Sequence, residues 1–402
     1  MINLEKIKKA QQNISKVVTK TPFAYASKLS QMIGNEIYLK KENLQLTGAF
    51  KLRGAFNKIA SLTEEEKSKG VIAASAGNHA QGVAYSASYF DIPATIVMPE
   101  ATPMTKISGV KSYGGEVVLA GNNYDEAYEY AIKLAKESGK IFIHPFADYD
   151  VMAGQGTIAL EMLESKPDLE VLIVPIGGGG LISGIAVAAK SINKNIKIIG
   201  VTASGAPAMR NSFKSGIIQD SVGVKTIADG IAVRDTNETT FNIIKEYVDD
   251  IVEVDDEEIA NAILYLMEQQ KIVVEGAGAV GVAALMHNKI KFSSPKKVGV
   301  VVSGGNIDVT MLNLIIEKGL IKSYRKMKLV VTLIDKPGSL MKLTEILRDV
   351  KANIVSIGYD RTDVNLAFGD ANVSIAVETR GYEHQEEIKR NLYKNGFRFV
   401  VE

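Results

Sequence analysis

The chain has 402 residues, of which 46% are hydrophobic and 23% are charged, as in a soluble globular protein long enough for two or three domains. Its 47 lysines and arginines nearly balance its 46 aspartates and glutamates, so nucleic acid is not an expected partner. Because there is no cysteine, disulfides, thiolate nucleophiles and cysteine metal sites are excluded. A polar N-terminus and the lack of a long apolar stretch predict no membrane span and a cytoplasmic location.

Short β-rich segments alternate with helical segments along most of the chain, after an amphipathic helix predicted at 4–18. Several of these segments are continuous apolar runs, as in strands that are buried on both faces. The predicted strands are 36–41, 71–74, 94–98, 116–120, 141–144, 171–175, 196–201 and 297–302, and the main predicted helices are 78–89, 124–137, 156–164, 255–270 and 276–287. This alternation is typical of parallel sheets with crossover helices, so an α/β fold is expected.

The last part of the chain has a different pattern, and a polar, basic stretch at 317–328 separates it from the rest. Its segments predict strand, helix, strand, strand, helix and strand at 328–334, 339–350, 353–360, 372–378, 384–394 and 398–402. This βαββαβ order indicates a ferredoxin-like fold. We therefore predict a small separate domain at 328–402.

Lys51 is the first candidate for chemistry. It lies between Phe50 and a predicted helix, a few residues after the strand 36–41. Most lysines are solvated surface charges, but a desolvated amine with a lowered pKa can bond covalently to a carbonyl carbon. Lys51 alone does not decide between these interpretations.

The segment from Ser75 to Gly82 joins a predicted strand to a predicted helix. Its small residues and backbone N–H groups suit a carboxylate, and Asn78 offers a side-chain amide. The alternative is a capped helix start in which His79 is simply packed in the core. The segment alone leaves both interpretations open.

Two glycine-rich segments also follow predicted strands. Four successive glycines at 177–180 expose backbone N–H groups at a helix start, which suits a phosphate, although no Walker lysine follows them. Ser303 lies at the end of the strand 297–302, where a lone serine is usually a helix cap. A reactive lysine, a phosphate site and polar groups directed at a planar ring together suggest pyridoxal phosphate as the cofactor.

The segments 41–55, 75–82, 177–180 and 303–306, in this order, resemble the serine/threonine dehydratases of the fold-type-II pyridoxal-phosphate enzymes. The resemblance covers about 4–320, and the tail with Asp335-Lys336-Pro337-Gly338-Ser339-Leu340 resembles an ACT domain, a regulatory amino-acid-binding module. It implies the tryptophan-synthase-β-like architecture of two parallel-sheet α/β lobes in a catalytic domain at 1–320. In that architecture a small lobe at about 45–145 is inserted into the large lobe, and a linker at 321–327 leads to the ACT domain at 328–402.

The resemblance also implies roles for individual residues. Lys51 holds the cofactor covalently and then removes the substrate α-proton, Phe50 packs against the cofactor ring, and Ser303 faces its pyridine nitrogen. Asn78 meets the ring 3′-oxygen. The residues that would take the substrate carboxylate are Ser75, Asn78 and His79, and those that would hold the phosphate are Gly177, Gly178, Gly179 and Gly180.

The implied reaction is that of the threonine ammonia-lyases with one ACT domain, in which L-threonine gives 2-oxobutanoate and ammonia, and L-serine gives pyruvate as a side activity. A neutral hydroxyl at Ser303 favours elimination over transamination. Ala76 stands where serine racemases carry a second serine, which argues against racemisation. Alternatives are a serine racemase, a threonine synthase or another enzyme of this fold, or an inactive amino-acid sensor.

Further expectations concern metals, effectors and assembly. Positions that hold a divalent cation in some relatives are Thr202 and Ala208 here, so no metal site is expected. Glu275 matches a family glutamate near the cofactor, or it caps a helix. In the ACT tail, Gly338 and Asn353 match effector-contact positions, with isoleucine as the leading effector and valine as a weaker one. A homo-oligomer, either a dimer or a tetramer, is implied because ACT domains pair.

Overall fold

The computed structural model describes residues 1–402, which divide into two compact units, Met1–Asp308 and Val309–Glu402. We call them the N-terminal unit and the C-terminal unit. No helix in either unit combines the length and the apolar character that crossing a lipid bilayer requires.

The N-terminal unit alternates strands and helices. Its helices are α1 (Leu4–Ile14), α2 (Ser27–Ile33), α3 (Lys51–Ala60), α4 (Glu64–Lys69), α5 (Asn78–Tyr89), α6 (Met104–Ser112), α7 (Tyr124–Ser138), α8 (Tyr149–Ser165), α9 (Gly180–Ile192), α10 (Ala208–Ser215), α11 (Glu238–Tyr247), α12 (Asp256–Tyr265) and α13 (Gly276–Met286). Its strands are β1 (Phe23–Tyr25), β2 (Glu36–Lys41), β3 (Val71–Ala74), β4 (Ala94–Met98), β5 (Glu116–Leu119), β6 (Ile141–Phe142), β7 (Val171–Pro175), β8 (Lys197–Ala203), β9 (Asp250–Val254) and β10 (Lys297–Val302). Short 3₁₀ turns lie at Glu42–Leu44 and Asp229–Ile231, and a π-helical turn, Leu266–Gln270, follows α12.

Two sheets organise this unit. The six-stranded sheet has the order β1-β2-β10-β7-β8-β9 and is parallel except for β1, which pairs with β2 in the antiparallel sense. The four-stranded sheet has the order β5-β4-β3-β6 and is parallel throughout. We call these sheets, with their helices, the large lobe and the small lobe. The predicted α/β fold with two parallel-sheet lobes is confirmed, while the antiparallel edge strand β1 was not predicted.

The small lobe is formed by strands that follow one another between β2 and β7, so the chain leaves the large lobe and returns to it. The returning segment begins with α8, which was predicted at 156–164 but starts at Tyr149. Its N-cap is Asp148, whose Oδ1 accepts hydrogen bonds from the N–H groups of Asp150 and Val151 at 2.8 and 3.0 Å. With this cap, α8 begins about two turns earlier than predicted, and these turns pack beside α3.

Helices α3, α8 and α9 pack with their backbones in contact at glycines. A Cβ atom on Gly154 of α8 would lie 2.7 Å from the Cα of Gly54 in α3. Two residues later, on the other side of α8, a Cβ atom on Gly156 would lie 2.7 Å from the carbonyl oxygen of Gly184 in α9. Since real side chains do not approach this closely, each contact requires glycine.

The C-terminal unit consists of one preceding helix and a βαββαβ domain. Its elements are α14 (Val309–Lys322), β11 (Lys326–Ile334), α15 (Ser339–Asp349), β12 (Asn353–Asp360), β13 (Asp370–Glu378), α16 (Tyr382–Lys394) and β14 (Arg398–Val401). The sheet order is β12-β13-β11-β14 and all neighbours are antiparallel, which is the ferredoxin-like topology. Buried leucine and isoleucine side chains of α15 and α16 pack into the same core as the sheet, among them Leu343, Leu347, Ile388 and Leu392.

The segment before this domain differs from the sequence prediction. Residues 321–327 were predicted as a linker, but α14 extends to Lys322 and β11 begins at Lys326. The polar, basic stretch 317–328 spans the end of α14 and the first residues of β11.

Candidate active site

Lys51 is the first residue of α3 and its side chain is partly buried. Its Nζ donates a hydrogen bond to the carbonyl oxygen of Pro145 at 2.8 Å and lies 5.5 Å from the centre of the Phe50 ring. Burial lowers the pKa of this amine to about 8, against the opposing attraction of the Glu275 carboxylate. A larger fraction of the amine is therefore neutral near physiological pH than in an exposed lysine, and only the neutral form is a nucleophile or a base.

The backbone at the start of α3 is joined to the segment that follows β10. The N–H of Phe50 donates to the carbonyl oxygen of Ser303 at 3.0 Å, and the N–H of Gly305 donates to Gly48 at 2.8 Å. Gly48 has φ +74°, a conformation that favours glycine, and it brings Ala49 into a single antiparallel bridge with Gly304. Two segments that are about 250 residues apart in the chain thus form one wall of the site.

The four glycines after β7 form a tight turn into α9. Gly179 has φ +88°, and a Cβ atom on Gly178 would overlap the ring of Phe146. A Cβ atom on Gly177 would lie 2.8 Å from the Cα of Ile231. Side chains are excluded at these positions because neighbouring protein atoms pack against the turn. The turn leads into the N-terminus of α9, where free backbone N–H groups favour a bound phosphate.

The side chain of Ser303 indicates that a cofactor binds at this site. Its side chain is 1% exposed, and its Oγ has no hydrogen-bond partner in the protein. A buried hydroxyl without a partner costs about 1–3 kcal/mol, so such groups are uncommon unless a ligand satisfies them. A pyridine nitrogen would satisfy Ser303, and together with Lys51 and the glycine turn the residues present fit pyridoxal phosphate.

Asn78, the first residue of α5, is held by two neighbours from the large lobe. Its Nδ2 donates to both carboxylate oxygens of Glu275 at 2.8 and 3.0 Å. Its Oδ1 accepts a hydrogen bond of 2.8 Å from Nδ2 of Asn306, which also donates to the carbonyl oxygen of Thr47 at 2.8 Å. The predicted ring partner therefore lies in a chain of side-chain hydrogen bonds that joins the two lobes.

The electrostatics of Glu275 are unusual for a carboxyl group. It is 3% exposed, and burial raises its pKa to about 7, with Asp229 adding to the rise. The hydrogen bond from Asn78 and the charge of Lys106 oppose this rise. Perturbed carboxyl groups of this kind concentrate at functional sites.

The predicted carboxylate ligands differ in their surroundings. Ser75 is partly exposed, and its Oγ accepts a hydrogen bond from the N–H of Gly77 at 3.2 Å. His79 is buried, with Nε2 2.9 Å from the carbonyl oxygen of Ile143, and burial together with the nearby Lys51 charge lowers its pKa to about 3. The ring is therefore neutral and donates through Nε2, which leaves an acceptor at Nδ1. This geometry matches the packed histidine rather than a donor to a carboxylate.

Residues 144–146, which lie shortly after β6, complete the surroundings of Lys51, although no sequence motif marked them. His144 Nδ1 accepts hydrogen bonds from the N–H groups of Phe146 and Ala147 at 3.2 and 2.8 Å. The His144 and Phe146 rings stack edge to face at 4.7 Å, and burial lowers the pKa of His144 to about 4. The position of these residues, at the carboxyl end of a parallel strand, was the signal available in the sequence.

Arg53, two residues after Lys51, lies in a buried cluster of four charges. It forms paired hydrogen bonds of 2.8 and 2.8 Å with Glu42 and of 2.6 and 3.0 Å with Glu161. Lys40 donates to Glu161 at 2.5 Å and to the carbonyl oxygen of Thr21 at 2.6 Å. We call Lys40, Glu42, Arg53 and Glu161 the charge tetrad. Two positive and two negative charges compensate one another behind the first turn of α3.

The two predicted effector residues lie in the C-terminal unit. Gly338 directly precedes α15 and has φ +88°, and Asn353 is the first residue of β12. The Nδ2 of Asn353 donates to Glu378 at 2.9 Å, across to the neighbouring strand β13. Both residues are exposed.

The family of the N-terminal unit follows from its sequence. A profile of the family described as "Pyridoxal-phosphate dependent enzyme" matches residues 14–304, and the chain belongs to this family. Its cofactor is therefore pyridoxal phosphate, in agreement with the fit of the site.

The names of individual relatives specify an activity within this family. The L-threonine ammonia-lyase of Thermotoga maritima is 51% identical to this chain, over 99% of this chain and 98% of its own length. The Staphylococcus aureus L-threonine dehydratase catabolic TdcB is 47% identical over 80% of this chain and 93% of its own.

Solved structures with similar sequences share the fold of this chain. Maize serine racemase superposes with a TM-score of 0.75 at 37% identity, covering 80% of this chain and 98% of its own. The processed form of threonine deaminase isoform 2 from Solanum lycopersicum superposes with a TM-score of 0.74 at 39% identity, covering 78% and 86%.

Proposed function

We propose that the protein is a threonine ammonia-lyase, a lyase that converts L-threonine to 2-oxobutanoate and ammonia, with L-serine to pyruvate as a side activity. The observation that carries this assignment is the partly neutral amine of Lys51 beside the partnerless Ser303 hydroxyl. The relatives named threonine ammonia-lyase and threonine dehydratase match most of the chain at 47–51% identity and support the choice of substrate.

Pyridoxal phosphate, when bound, supplies an electron sink that stabilises negative charge on the substrate Cα. Gly177, Gly178, Gly179 and Gly180 would hold its phosphate, Phe50 would pack against its ring, and Lys51 would carry it covalently. Ser75, with the backbone N–H groups at the start of α5, that of Asn78 among them, would orient the substrate carboxylate, and the side-chain amide of Asn78 would meet the ring oxygen.

Lys51 performs the proton transfer. With substrate bound, its neutral Nζ would take the proton from the substrate Cα. The Cβ–O bond would then break, and the hydroxyl would leave as water with one proton, which balances the proton taken from Cα. The released enamine tautomerises to an imine, which adds water and gives ammonia and the 2-oxo acid. Ser303 is a neutral hydroxyl and does not force a proton onto the ring nitrogen, so the negative charge on Cα is short-lived and elimination is favoured.

Substitution of Lys51 tests the assignment. We expect Lys51→Ala to lower 2-oxobutanoate formation from L-threonine by about 10³-fold or more and to abolish the absorbance band of lysine-bound cofactor. Lys58→Ala is the matched control, because Lys58 is in the same helix but pairs with Asp148 and Asp150 instead of the site. Turnover that survives in Lys51→Ala, or wild-type protein that makes no oxo acid from threonine, would overturn the proposal.

A serine racemase is the competing function, because the maize enzyme has the same fold. Ala76 has no side-chain acid to protonate the opposite face of the substrate, which favours elimination. Chiral chromatography of L-serine after incubation with the holoenzyme separates the two functions. We expect pyruvate and no D-serine.

We also propose that the C-terminal unit contains an ACT domain that binds an amino-acid effector near Gly338 and Asn353. The ferredoxin-like topology supports this assignment, as does a threonine ammonia-lyase relative that aligns over 99% of the chain. Isoleucine is the leading effector and valine the weaker one, and the protein would be a cytoplasmic homo-oligomer, either a dimer or a tetramer.

Threonine saturation curves with and without isoleucine test the regulation. An effector that weakens threonine binding raises the threonine concentration at half-saturation, and Asn353→Ala should reduce that response without changing the curve measured alone. Indifference of the wild-type enzyme to both amino acids would overturn the effector proposal and leave the catalytic assignment intact.

A further inference from the structure

Glu275 is a buried carboxyl group to which the mechanism above gives no role. It directly precedes α13, at the N-cap position, but its side chain makes no capping hydrogen bond. Both carboxylate oxygens instead accept from Nδ2 of Asn78, across the cleft between the lobes. The side-chain capping interpretation of Glu275 is therefore wrong, and its carboxylate interacts with the Asn78 side chain and with the backbone N–H of Asn306.

The surrounding backbone holds this carboxyl group in place. The N–H of Glu275 donates to the carbonyl oxygen of Gly304 at 3.1 Å. A Cβ atom on Gly304 would lie 2.7 Å from the carboxyl carbon of Glu275, and one on Gly230 would lie 3.1 Å from its Oε1. Glycines on two sides thus allow the backbone to close around the carboxyl group, which leaves it little freedom to turn away from Asn78.

A carboxylate only accepts hydrogen bonds, so it determines which end of the Asn78 amide faces it. The NH₂ end of Asn78 must face Glu275, and its Oδ1 then accepts from Asn306. One of the two hydrogens on Nδ2 serves Glu275 and the other remains for a ligand. If the amide were reversed, its oxygen would face the carboxylate and both contacts would be lost.

We propose that Glu275 is a positioning residue that fixes the amide of Asn78 so that an N–H, and not the carbonyl oxygen, is presented to the ring oxygen of the cofactor. This inference rests on the role proposed for Asn78 above. The hydrogen bond that Asn78 gives stabilises the ionised form of the ring oxygen, so Glu275 influences the protonation of the cofactor without touching it.

The protonation state of Glu275 depends on its charged neighbours. Asp229 disfavours the carboxylate, whereas Lys106 favours it, and Lys51 and Glu275 attract each other. Burial brings the pKa of Glu275 to about 7, so its acceptor capacity changes within the working pH range of most enzymes. A protonated Glu275 holds the amide of Asn78 less strictly, because its OH can also donate to Oδ1.

Glu275→Gln tests the proposal in the holoenzyme. Glutamine has the same size but both donates and accepts, so the amide of Asn78 can bind it in either orientation. We expect the pH midpoint of the cofactor absorbance band to rise by about half a unit or more, and kcat to fall about tenfold. KM for threonine should change less than kcat. Glu258→Gln is the matched control, since Glu258 pairs with Lys289 and completes the capping box of α12, which glutamine also supports, and it contacts no residue of the site.

Two further variants test whether Glu275 acts through Asn78. If Glu275 acts through Asn78, Glu275→Gln should have no further effect on the absorbance midpoint in an Asn78→Ala background. Additive shifts in the two variants would overturn the inference. Asn306→Ala should shift the midpoint less than Glu275→Gln, because the carboxylate still sets the amide. A large shift in Asn306→Ala would overturn the inference even if the glutamine variant failed to fold.

The outcomes separate this inference from the proposed function. An unchanged absorbance profile and kcat in Glu275→Gln, together with an inactive Lys51→Ala, would overturn only the role of Glu275. Turnover in Lys51→Ala would instead overturn the proposed function.

Discussion

Two groups of buried polar side chains flank the first turn of α3, and they differ in how far their interactions are satisfied. The charge tetrad lies behind the turn, and its four charges bind one another through short, paired hydrogen bonds. The group in front of the turn, the site group, has few partners or none and consists of Lys51, His79, Glu275 and Ser303. Burial alone therefore does not identify a functional residue, whereas several incompletely paired groups that lie together in one buried site indicate function.

The pKa values of Arg53 and Glu42 express the same difference, although burial lowers the pKa of Lys40 despite the charges of Glu42 and Glu161. Burial opposes the charge of Arg53, but Glu42 and Glu161 outweigh it and raise the pKa of the guanidinium. Burial likewise opposes the charge of Glu42, yet Arg53 and Lys40 bring its pKa below the ordinary value. In the site group, burial dominates, so the pKa of Lys51 falls to about 8 and that of Glu275 rises to about 7. Arg53 and Glu42 keep their charges, while Lys51 and Glu275 are each partly neutral near physiological pH.

The largest expected effect comes from breaking the charge tetrad. Arg53→Met removes one of two positive charges and leaves Glu42 and Glu161 buried without their main partner. We expect the free energy of unfolding of the N-terminal unit to fall by about 3–5 kcal/mol. Urea denaturation followed by circular dichroism measures this loss.

The control is Arg348→Met in α15, because Arg348 pairs with Asp349 at the surface and exposed pairs contribute about 0–1 kcal/mol. If Arg53→Met proved as mild as Arg348→Met, the tetrad would not have the structural role assigned to it here.

A second, intermediate effect is a pH dependence of opposite sign for the two groups. The pKa of Glu275 in the folded chain, about 7, is above its ordinary value of 4.5, so its contribution to stability is complete below about pH 4.5 and is lost as pH rises through 7. The pKa of Glu42 is below 4.5, so its contribution is present above that pH and is lost on acidification.

We therefore expect Glu275→Gln, in protein freed of cofactor, to be more stable than wild type by about 3 kcal/mol at pH 8 and nearly equal to it at pH 4.5. Urea unfolding at both pH values measures the difference. A stability difference independent of pH would show that Glu275 does not titrate as described.

The smallest expected effect is at Ser303. Ser303→Ala removes a buried hydroxyl without a partner, so cofactor-free protein should gain about 1 kcal/mol in the free energy of unfolding. The holoenzyme should lose activity, since the ring nitrogen loses its partner. Ser212→Ala provides the contrast, because the Oγ of Ser212 is bonded to Ala208 and Gln219 and its loss should destabilise the protein. A destabilised Ser303→Ala would contradict the interpretation that the Ser303 hydroxyl lacks a hydrogen-bond partner until the cofactor binds.

Much of the fold was predictable because local patterns agreed with the final structure. The strands β2, β3, β4, β7 and β10 begin and end as predicted, since each is an apolar or β-branched run between turn residues. Strands β1 and β9 were missed. The first has only three residues, and the second carries Asp250 and Glu253, so neither shows a strand pattern.

The candidate site was less predictable from sequence, for a physical reason. Motifs located Lys51, Asn78 and Ser303, because their segments are continuous in the chain. The chain of hydrogen bonds from Thr47 through Asn306 and Asn78 to Glu275 joins four segments, and only folding brings these segments together. The direction in which His79 points depends on the carbonyl group of Ile143 in another element, which no local pattern encodes.

The glycine contacts between α3, α8 and α9 have a consequence for how this enzyme can diversify. Lys51 begins α3 and the glycine turn leads into α9, so the two anchors of the cofactor are connected through α8 by backbone touching backbone. No layer of side chains lies at these contacts to be enlarged, trimmed or repacked. Most substitutions therefore leave the distance between Lys51 and the glycine turn unchanged. Residues around the substrate can change, and a new amino-acid substrate can be accepted, without displacing the cofactor.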